Sequence, residues 1–492
     1  MNTLISSKLL IAPLIPMATS LLILASGRKP NLRETFSVAG AILTFLTVMS
    51  LVPHVLGGGT WDYNLVTIYP GVSVKFHLDG LGVMFAGTAS FLWIVAAFYC
   101  IGYMRGLNEH AQTRFYVCYA LSVGAGVGAA FAGSLFTLYL FYEMVSIFTY
   151  PLVMHHQDEE GYLGGRKYLI YLMFTSKAFL LPAMALTYVM CGTLDFATTG
   201  IVDGIFPTGA DRIMVTITYL LFLFGFAKSG IMPVHNWLPD AMVAPTPVSA
   251  LLHAVVVVKV GVFATCRIML SLFGIKLLDL TGLGTFTAWF VSFTIITASL
   301  IALTKNNLKA RLAYSTVSQL SYIILGVALL TPAAIQGGVI HIVNHAFAKI
   351  TLFFCAGAIY VASHKKDISE MKGLGRSMPL TFAAFAVASL SMIGVPPVAG
   401  FVSKWYLLTG AISAQQTGIL LVLLMSTLLN AAYFAPVVFS AYFGTPPAGE
   451  EGQEIREAAP FLLIPLLVTA ALSVAVGLYP DYFISIIKGV LP

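Results

Sequence analysis

Charge is scarce in this chain. Asp, Glu, Lys and Arg make up 9% of its 492 residues, against 58% hydrophobic residues and a mean hydropathy of +0.90. That excludes an ordinary soluble domain, in which about a quarter of residues are charged. No long polar stretch is present to build a second domain. The five cysteines (Cys100, Cys118, Cys191, Cys266, Cys355) lack any CxxC or iron–sulfur spacing, so no redox centre, cofactor or metal is expected in this chain. The short alternating segments of a membrane β-barrel are missing too. The first apolar run continues to Ser26 and ends in Arg28-Lys29 without a small-residue cleavage site. It reads as a first transmembrane helix rather than a cleaved signal.

What the chain does contain is a series of apolar runs, such as 9–26, 213–230 and 460–478, each long enough to cross about 30 Å of hydrocarbon. About fourteen such segments are expected by that length rule, near 7–26, 35–53, 80–104, 114–131, 134–153, 166–190, 213–242, 246–270, 283–304, 312–330, 334–361, 379–410, 417–443 and 460–480. The fold class is therefore an all-α polytopic membrane protein, one domain over 1–492. Lys and Arg gather in alternate loops: Arg28, Lys29, Arg33; Arg105, Arg114; Arg166, Lys167; Lys305, Lys309, Arg311; Lys365, Lys366, Lys372, Arg376. The intervening loop at 191–212 carries Asp195, Asp203 and Asp211 instead. The positive-inside rule makes the basic loops cytoplasmic, with both termini on the outer side of the cell membrane. The net charge of +6 reflects that topology and calls for no nucleic-acid partner.

Against this background six charges stand out inside the apolar runs: Glu143, Lys177, Lys228, Lys259, Lys349 and Lys404. An ionisable group near the bilayer midplane costs about 3 kcal/mol or more and generally lines a polar path. Six of them on several helices point to ion movement. Two helices are also interrupted, in Phe226-Ala-Lys-Ser-Gly-Ile-Met-Pro-Val-His-Asn-Trp-Leu-Pro-Asp240 and in Ser391-Met-Ile-Gly-Val-Pro-Pro-Val-Ala-Gly-Phe-Val-Ser-Lys-Trp405. They are the seventh and twelfth in order. Matching broken helices suggest two inverted five-helix repeats, helices 4–8 (114–270) and 9–13 (283–443), with an ion site at each break. Ordinary proline kinks would not require a buried lysine beside each one.

Counted from the loop ends, Glu143, Lys228 and Lys259 lie about 14–24 Å into the bilayer. A glutamate facing a lysine at that depth is a mutually neutralised pair that can be switched, or else a static packing contact. Lys177, on the sixth helix about ten residues from either end, is too deep to snorkel easily and competes with Lys228 for Glu143. His341, His345 and Lys349 follow i, i+4, i+8 spacing, a stack about 6 Å apart suited to handing protons along through water. The metalloprotease form of HxxxH needs Glu after the first His, and Ile342 stands there. A haem would need another histidine, for which His253 is the candidate. His253, with Thr246 and Ser249, is also placed to hold water between Lys228 and Lys259.

These motifs resemble a known family. Met232-Pro-Val-His-Asn-Trp-Leu-Pro-Asp-Ala-Met-Val-Ala-Pro-Thr-Pro-Val-Ser-Ala-Leu-Leu-His253, Arg311-Leu-Ala-Tyr-Ser-Thr-Val-Ser-Gln-Leu-Ser-Tyr322, Asn344-His-Ala-Phe-Ala-Lys349 and Leu78-Asp-Gly-Leu81 are similar to the signatures of antiporter-like subunits. Respiratory complex I, Mrp-type Na+/H+ antiporters and membrane-bound hydrogenases share such subunits. The resemblance spans about 75–440. It implies fourteen helices with two inverted repeats, Glu143 and Lys228 as the input pair, Lys259 as the central lysine, His341, His345 and Lys349 as the link, and Lys404 as the output residue. Lys404 stands where the M-type subunit of complex I carries glutamate, which favours an Mrp D-type or hydrogenase-associated subunit. Lys177 has no counterpart in the pattern. The chain is of D-, M- or N-like length; the dozen or so residues after the last helix are too few for the long lateral helix of the largest members.

The function expected is proton or Na+/H+ translocation as one subunit of a larger membrane complex. The alternatives are a proton-pumping subunit of an NADH:quinone oxidoreductase-like or hydrogenase complex, with iron–sulfur, flavin or nickel held by partner subunits, and a self-sufficient secondary transporter.

Overall fold

The computed structural model of the chain describes residues 3–197, 200–207, 209–445 and 455–488. Its helices follow from a solvent that offers no hydrogen bonds: each segment must satisfy its own backbone, and a helix does so. Polar residues are pushed to the ends. The side chains of Asp79, Ser134, Asp158, Asp211 and Asn307 each accept a backbone N–H from the first turn of the helix that follows.

The principal helices are α1 (Lys8–Ala25), α2 (Pro30–Met49), α3 (Gly80–Gly106), α4 (Gln112–Ala130), α5 (Leu135–Val153), α6 (Glu159–Cys191), α7 (Arg212–Gly225), α8 (Thr246–Phe273), α9 (Leu283–Thr304), α10 (Leu308–Ala328), α11 (Pro332–Ser363), α12 (Pro379–Ile393), α13 (Ala399–Ser413), α14 (Thr417–Phe443) and α15 (Pro460–Leu478). Among the described residues ten helices are long and apolar enough to cross a membrane: α1, α2 with its continuation to Leu56, α3, α5, α6, α8, α9, α11, α14 and α15. The protein is a multi-pass membrane protein. Its outer surface is apolar, with side chains such as Val189, Ile213, Leu428 and Phe439 exposed.

One segment departs from the all-α expectation. Thr3–Ile5 (β1), Thr60–Tyr69 (β2) and Val72–Leu78 (β3) form a three-stranded sheet, β1 parallel and β3 antiparallel to β2. The signal was in the sequence: β-branched and aromatic residues on either side of Pro70-Gly71, with Gly71 at φ +78°, read as a hairpin. The sixth helix also starts earlier than expected, at Glu159, because Asp158 caps it.

α8 sits at the centre, buried along its whole apolar window. It packs against α4, α5, α10 and α11 and against the break that follows α7. That break begins after Gly225, makes a single turn at Ala227–Ser229, and reverses at Gly230 with φ +71°. The second break falls between α12 and α13, where Gly394 has φ +90°. Helices α6 and α8 are underwound into π turns, among them Ser176–Leu180 in α6 and Leu251–Val255 in α8. Such turns often mark functional positions, and these two hold Lys177 and His253.

The Leu78-Asp-Gly-Leu81 motif has a structural role. Asp79 caps α3 through the N–H of Gly82 (2.9 Å) and forms a bidentate pair with Arg267 near the end of α8 (2.5 and 2.8 Å). Removing one partner of a buried pair strands the other charge, at a cost of about 3–5 kcal/mol. Arg267→Met is therefore expected to lower the thermal midpoint of the detergent-solubilised chain and its recovery in folded form; an unchanged midpoint would show that the pair is dispensable.

Candidate functional site

The first cluster is built on α5. Glu143 is largely buried, and its Oε2 accepts from Lys177 Nζ at 2.5 Å. Lys177 also donates to the hydroxyl of Tyr139 at 2.7 Å. The other carboxylate oxygen, Oε1, is buried with no protein partner. The expected direct contact between Glu143 and Lys228 is not formed: among the described residues, the ion pair of Glu143 is with Lys177. Lys228 is fully buried one residue away, donating to the carbonyl of Tyr142 at 2.9 Å and lying 3.2 Å from the centroid of that ring. The physical reason is the break. The turn at Ala227–Ser229 brings the lysine across the Tyr142 peptide, where a carbonyl dipole and an aromatic face receive the ammonium. Lys177 reaches the carboxylate instead from the π turn of α6, with its side chain 46% exposed.

The second cluster joins α8 to α11. Lys259 Nζ donates to His345 Nδ1 at 2.6 Å, so these two meet directly. The next imidazole, His341, lies one turn back, with ring centroids 5.9 Å apart. Both its nitrogens are engaged: Nδ1 with Ser403 Oγ at 2.8 Å and Nε2 with Gln319 Oε1 at 3.0 Å.

Ser403 is the neighbour of Lys404 on α13. Lys404 Nζ donates to the carbonyls of Met392 (3.0 Å) and Ile393 (2.7 Å), the last residues of α12. Those carbonyls are free because the helix stops there, and they form its negative end. The ring of Tyr322 lies between the two ends of this cluster, 5.6 Å from the His341 centroid and 5.3 Å from Lys404 Nζ. Glycine makes room at both breaks, from within the second and from α8 against the first. A Cβ on Gly394 would stand 2.6 Å from Lys404 Cδ, and one on Gly261 would stand 2.3 Å from the Lys228 carbonyl carbon.

Two predicted residues do not join the line. Lys349 shares a helix face with His341 and His345, but its amino group donates to the carbonyl of Leu312 at 2.9 Å and to the hydroxyl of Ser315 on α10. His253 packs against Phe353, ring centroids 4.8 Å apart, with neither nitrogen partnered by protein. Residues that sequence reasoning missed include Tyr139, Tyr142, Ser315, Gln319, Tyr322 and Ser403. A signal existed for three of them: Ser315, Gln319 and Tyr322 are spaced i, i+4, i+7 in the 311–322 motif, on one face of α10.

A chain of buried polar atoms without protein partners accompanies these groups. It includes Ser146 Oγ, Ser229 Oγ, Ser249 Oγ, both nitrogens of His253, Asn344 Oδ1 and His345 Nε2. Each costs about 1–3 kcal/mol unless solvated. Sites of this polarity are where internal waters are held.

Comparison with known proteins places the fold. A family model described as NADH:quinone oxidoreductase/Mrp antiporter, transmembrane, matches residues 132–430, and the chain belongs to that family. All nine expected site residues fall inside the match. NADH-quinone oxidoreductase subunit N of Desulforudis audaxviator is 31% identical over 507 residues, 98% of each chain. A probable K(+)/H(+) antiporter protein of Rhizobium meliloti is 29% identical over 508 residues and 97% of this chain, which spans only 49% of that relative. A chain in the Mrp complex from Dietzia sp. DQ12-45-1b shares the fold, with a TM-score of 0.87 at 23% identity, over 98% of this chain and 96% of that one. The full-length relative thus carries an N-type name rather than the D-type that Lys404 favours.

The glycines offer a test of how tightly the breaks are built. Gly394→Ala places a side chain at positive φ and against Lys404, at an expected cost of about 1–3 kcal/mol. Gly87→Ala, where nothing lies within 4 Å, is expected to leave the thermal midpoint unchanged or raised. Equal midpoints for the two variants would contradict the close packing at the second break.

Proposed function

We propose that the chain is an antiporter-like subunit of a larger membrane complex and carries protons, or exchanges them for Na+, across the membrane. The observation that carries this reading is the line of buried groups Lys259, His345, His341, Ser403 and Lys404, running from α8 through α11 to α13. Every member can hold or pass a proton. Glu143, Lys177, Lys228 and His253 supply the other end. Glu143 exchanges between two ammonium groups, Lys177 as seen and Lys228 when the carboxylate turns inward, and that exchange moves charge towards Lys259. Lys349 tunes the line through its charge and the hydroxyl of Ser315 rather than by direct contact.

Topology supports the reading. Adding α4, α10 and the two broken segments to the ten long apolar helices gives fourteen spans. The two breaks, each with a lysine ammonium on a backbone carbonyl, support inverted repeats over 114–270 and 283–443. The basic loops containing Lys309, Lys365 and Lys366 meet round one cavity of ≈360 Å³, and we assign that face to the cytoplasm. Both ends of the chain are then outward; residues 1–2 and 489–492 themselves lie outside the described residues.

Partner subunits are supported by Lys177. Its half-exposed ammonium is in the middle of α6 on the side of the bundle, where contact with lipid costs a few kcal/mol. A neighbouring membrane protein removes that cost, which disfavours a self-sufficient transporter. A second reading, in which a redox module with iron–sulfur, flavin or nickel centres drives the pump, is favoured by the full-length similarity to a quinone oxidoreductase component. Co-purification separates the two: redox subunits in the second case, small membrane subunits alone in the first.

In sealed vesicles containing the intact complex, Glu143→Ala and Lys228→Ala should each remove most ion-coupled pH change while assembly persists. Normal transport by either variant would end the exchange model. Lys404→Glu should retain more transport than Lys404→Ala, since a titratable group beside the break is what the step needs. Equal losses would show that the second break only holds helices together.

A further inference from the structure

Outside the relay, four residues from two loops come together on the face with the basic loops. Glu109 and His110 lie between α3 and α4, and His155 and His156 between α5 and α6. One donor atom from each of Glu109, His110 and His155 lies within 4.8 Å of the others. Glu109 Oε2 is 3.7 Å from His155 Nε2 and 3.7 Å from His156 Nδ1. Those separations are too long for hydrogen bonds. His155 is 0% exposed, and neither of its ring nitrogens has a protein partner. A fully buried imidazole with both nitrogens unpartnered, beside a carboxylate and two more imidazoles, is a donor set of the kind that ligates a metal.

We propose that Glu109, His110, His155 and His156 bind one transition-metal dication of the Zn2+ type, which ties the α3–α4 loop to the α5–α6 loop. Imidazole and carboxylate donors suit Zn2+, Co2+ and Ni2+, whereas Mg2+ and Ca2+ require oxygen-rich shells. Bonds of about 2.0–2.2 Å at a tetrahedral centre put donor atoms about 3.4 Å apart. The donors must therefore close inward. His110 is exposed and Glu109 and His156 are only partly buried, so their side chains are free to do so round the fixed His155.

The surroundings are compatible with a cation. His155 is held fully buried between the two loops, and Glu109 supplies a negative charge beside it. The guanidinium of Arg114 donates to the His155 carbonyl at 2.8 Å and is thus occupied on the backbone side. His156 also lines the ≈360 Å³ cavity, together with Glu160, Asp240, Thr246 and Lys309. A metal here stiffens one side of that cavity. No sequence motif announces such a site, because its two dipeptides are far apart in the chain.

The test uses the intact complex, purified without a polyhistidine tag and stripped with a chelator. Titration with Zn2+ by calorimetry should give one equivalent per copy of this chain, and Co2+ should produce the visible absorption of a four-coordinate centre. His110→Ala and His155→Ala should each weaken binding at least tenfold, and excess Mg2+ should not compete. No binding, or binding unchanged in both variants, overturns the proposal. Should His155→Ala fail to fold, the exposed His110→Ala and Glu109→Gln decide alone: full-strength binding in both overturns it as well.

Discussion

An ammonium group held inside an apolar bundle without a carboxylate of its own is the constraint on which the rest of this structure depends. Burying such a charge costs several kcal/mol unless polar groups surround it. Four lysines meet the requirement, three of them at the breaks and on α8. Lys228 takes the carbonyl and ring face of Tyr142, Lys259 takes an imidazole, and Lys404 takes two carbonyls at the end of α12. The last carbonyls of a helix have no intrahelical partner, so the stop at the end of α12 gives Lys404 two acceptors side by side. Gly394 at positive φ, and the short distance it allows to the lysine stem, go with that stop.

None of these arrangements neutralises the lysine as an ion pair would. Glu143 shows the other half of the logic. It has a full ion pair with Lys177, yet its other oxygen stays buried without a protein partner. A carboxylate satisfied on one side only has an incentive to move, whereas one bonded at both oxygens would be locked. Tyr142, next to Glu143 in the chain, keeps Lys228 within reach of that move.

Much of this was legible in the sequence because charges in a membrane chain are rare enough to stand out. Each charged or histidine position expected from pattern is buried in the structure or, like Lys177, attached to one that is. The breaks were legible through Gly230, Pro233, Gly394 and Pro396. The pairings were not. Whether Glu143 meets Lys177 or Lys228 is decided by a π turn in α6 and a single turn after α7, and neither leaves a periodic signature. Lys349 failed for a related reason: residues on one helix face start together, but a four-carbon stem can turn to a neighbouring helix, here to Leu312 and Ser315. The sheet escapes a reading by apolar length alone, because its signal is the alternation on either side of Pro70-Gly71.

The contacts of the two histidines give the line a direction of communication. A protonated Lys259 can only donate, so His345 Nδ1 must accept and the proton of a neutral ring sits on Nε2. If Lys259 gives up its proton, its amine can accept, and the ring can exchange to the other tautomer. His341 is constrained from its own side. With Gln319 Oε1 as acceptor, Nε2 carries the proton, and Nδ1 must accept from Ser403. The Ser403 hydroxyl has a single proton and two acceptors in reach, His341 Nδ1 at 2.8 Å and the Gly400 carbonyl at 3.2 Å. With Nδ1 protonated, the serine hydroxyl turns to donate to the Gly400 carbonyl instead, in the first turn of the helix that carries Lys404. The contacts of His341 thus end on the helix that carries Lys404, and those of His345 on the lysine of α8.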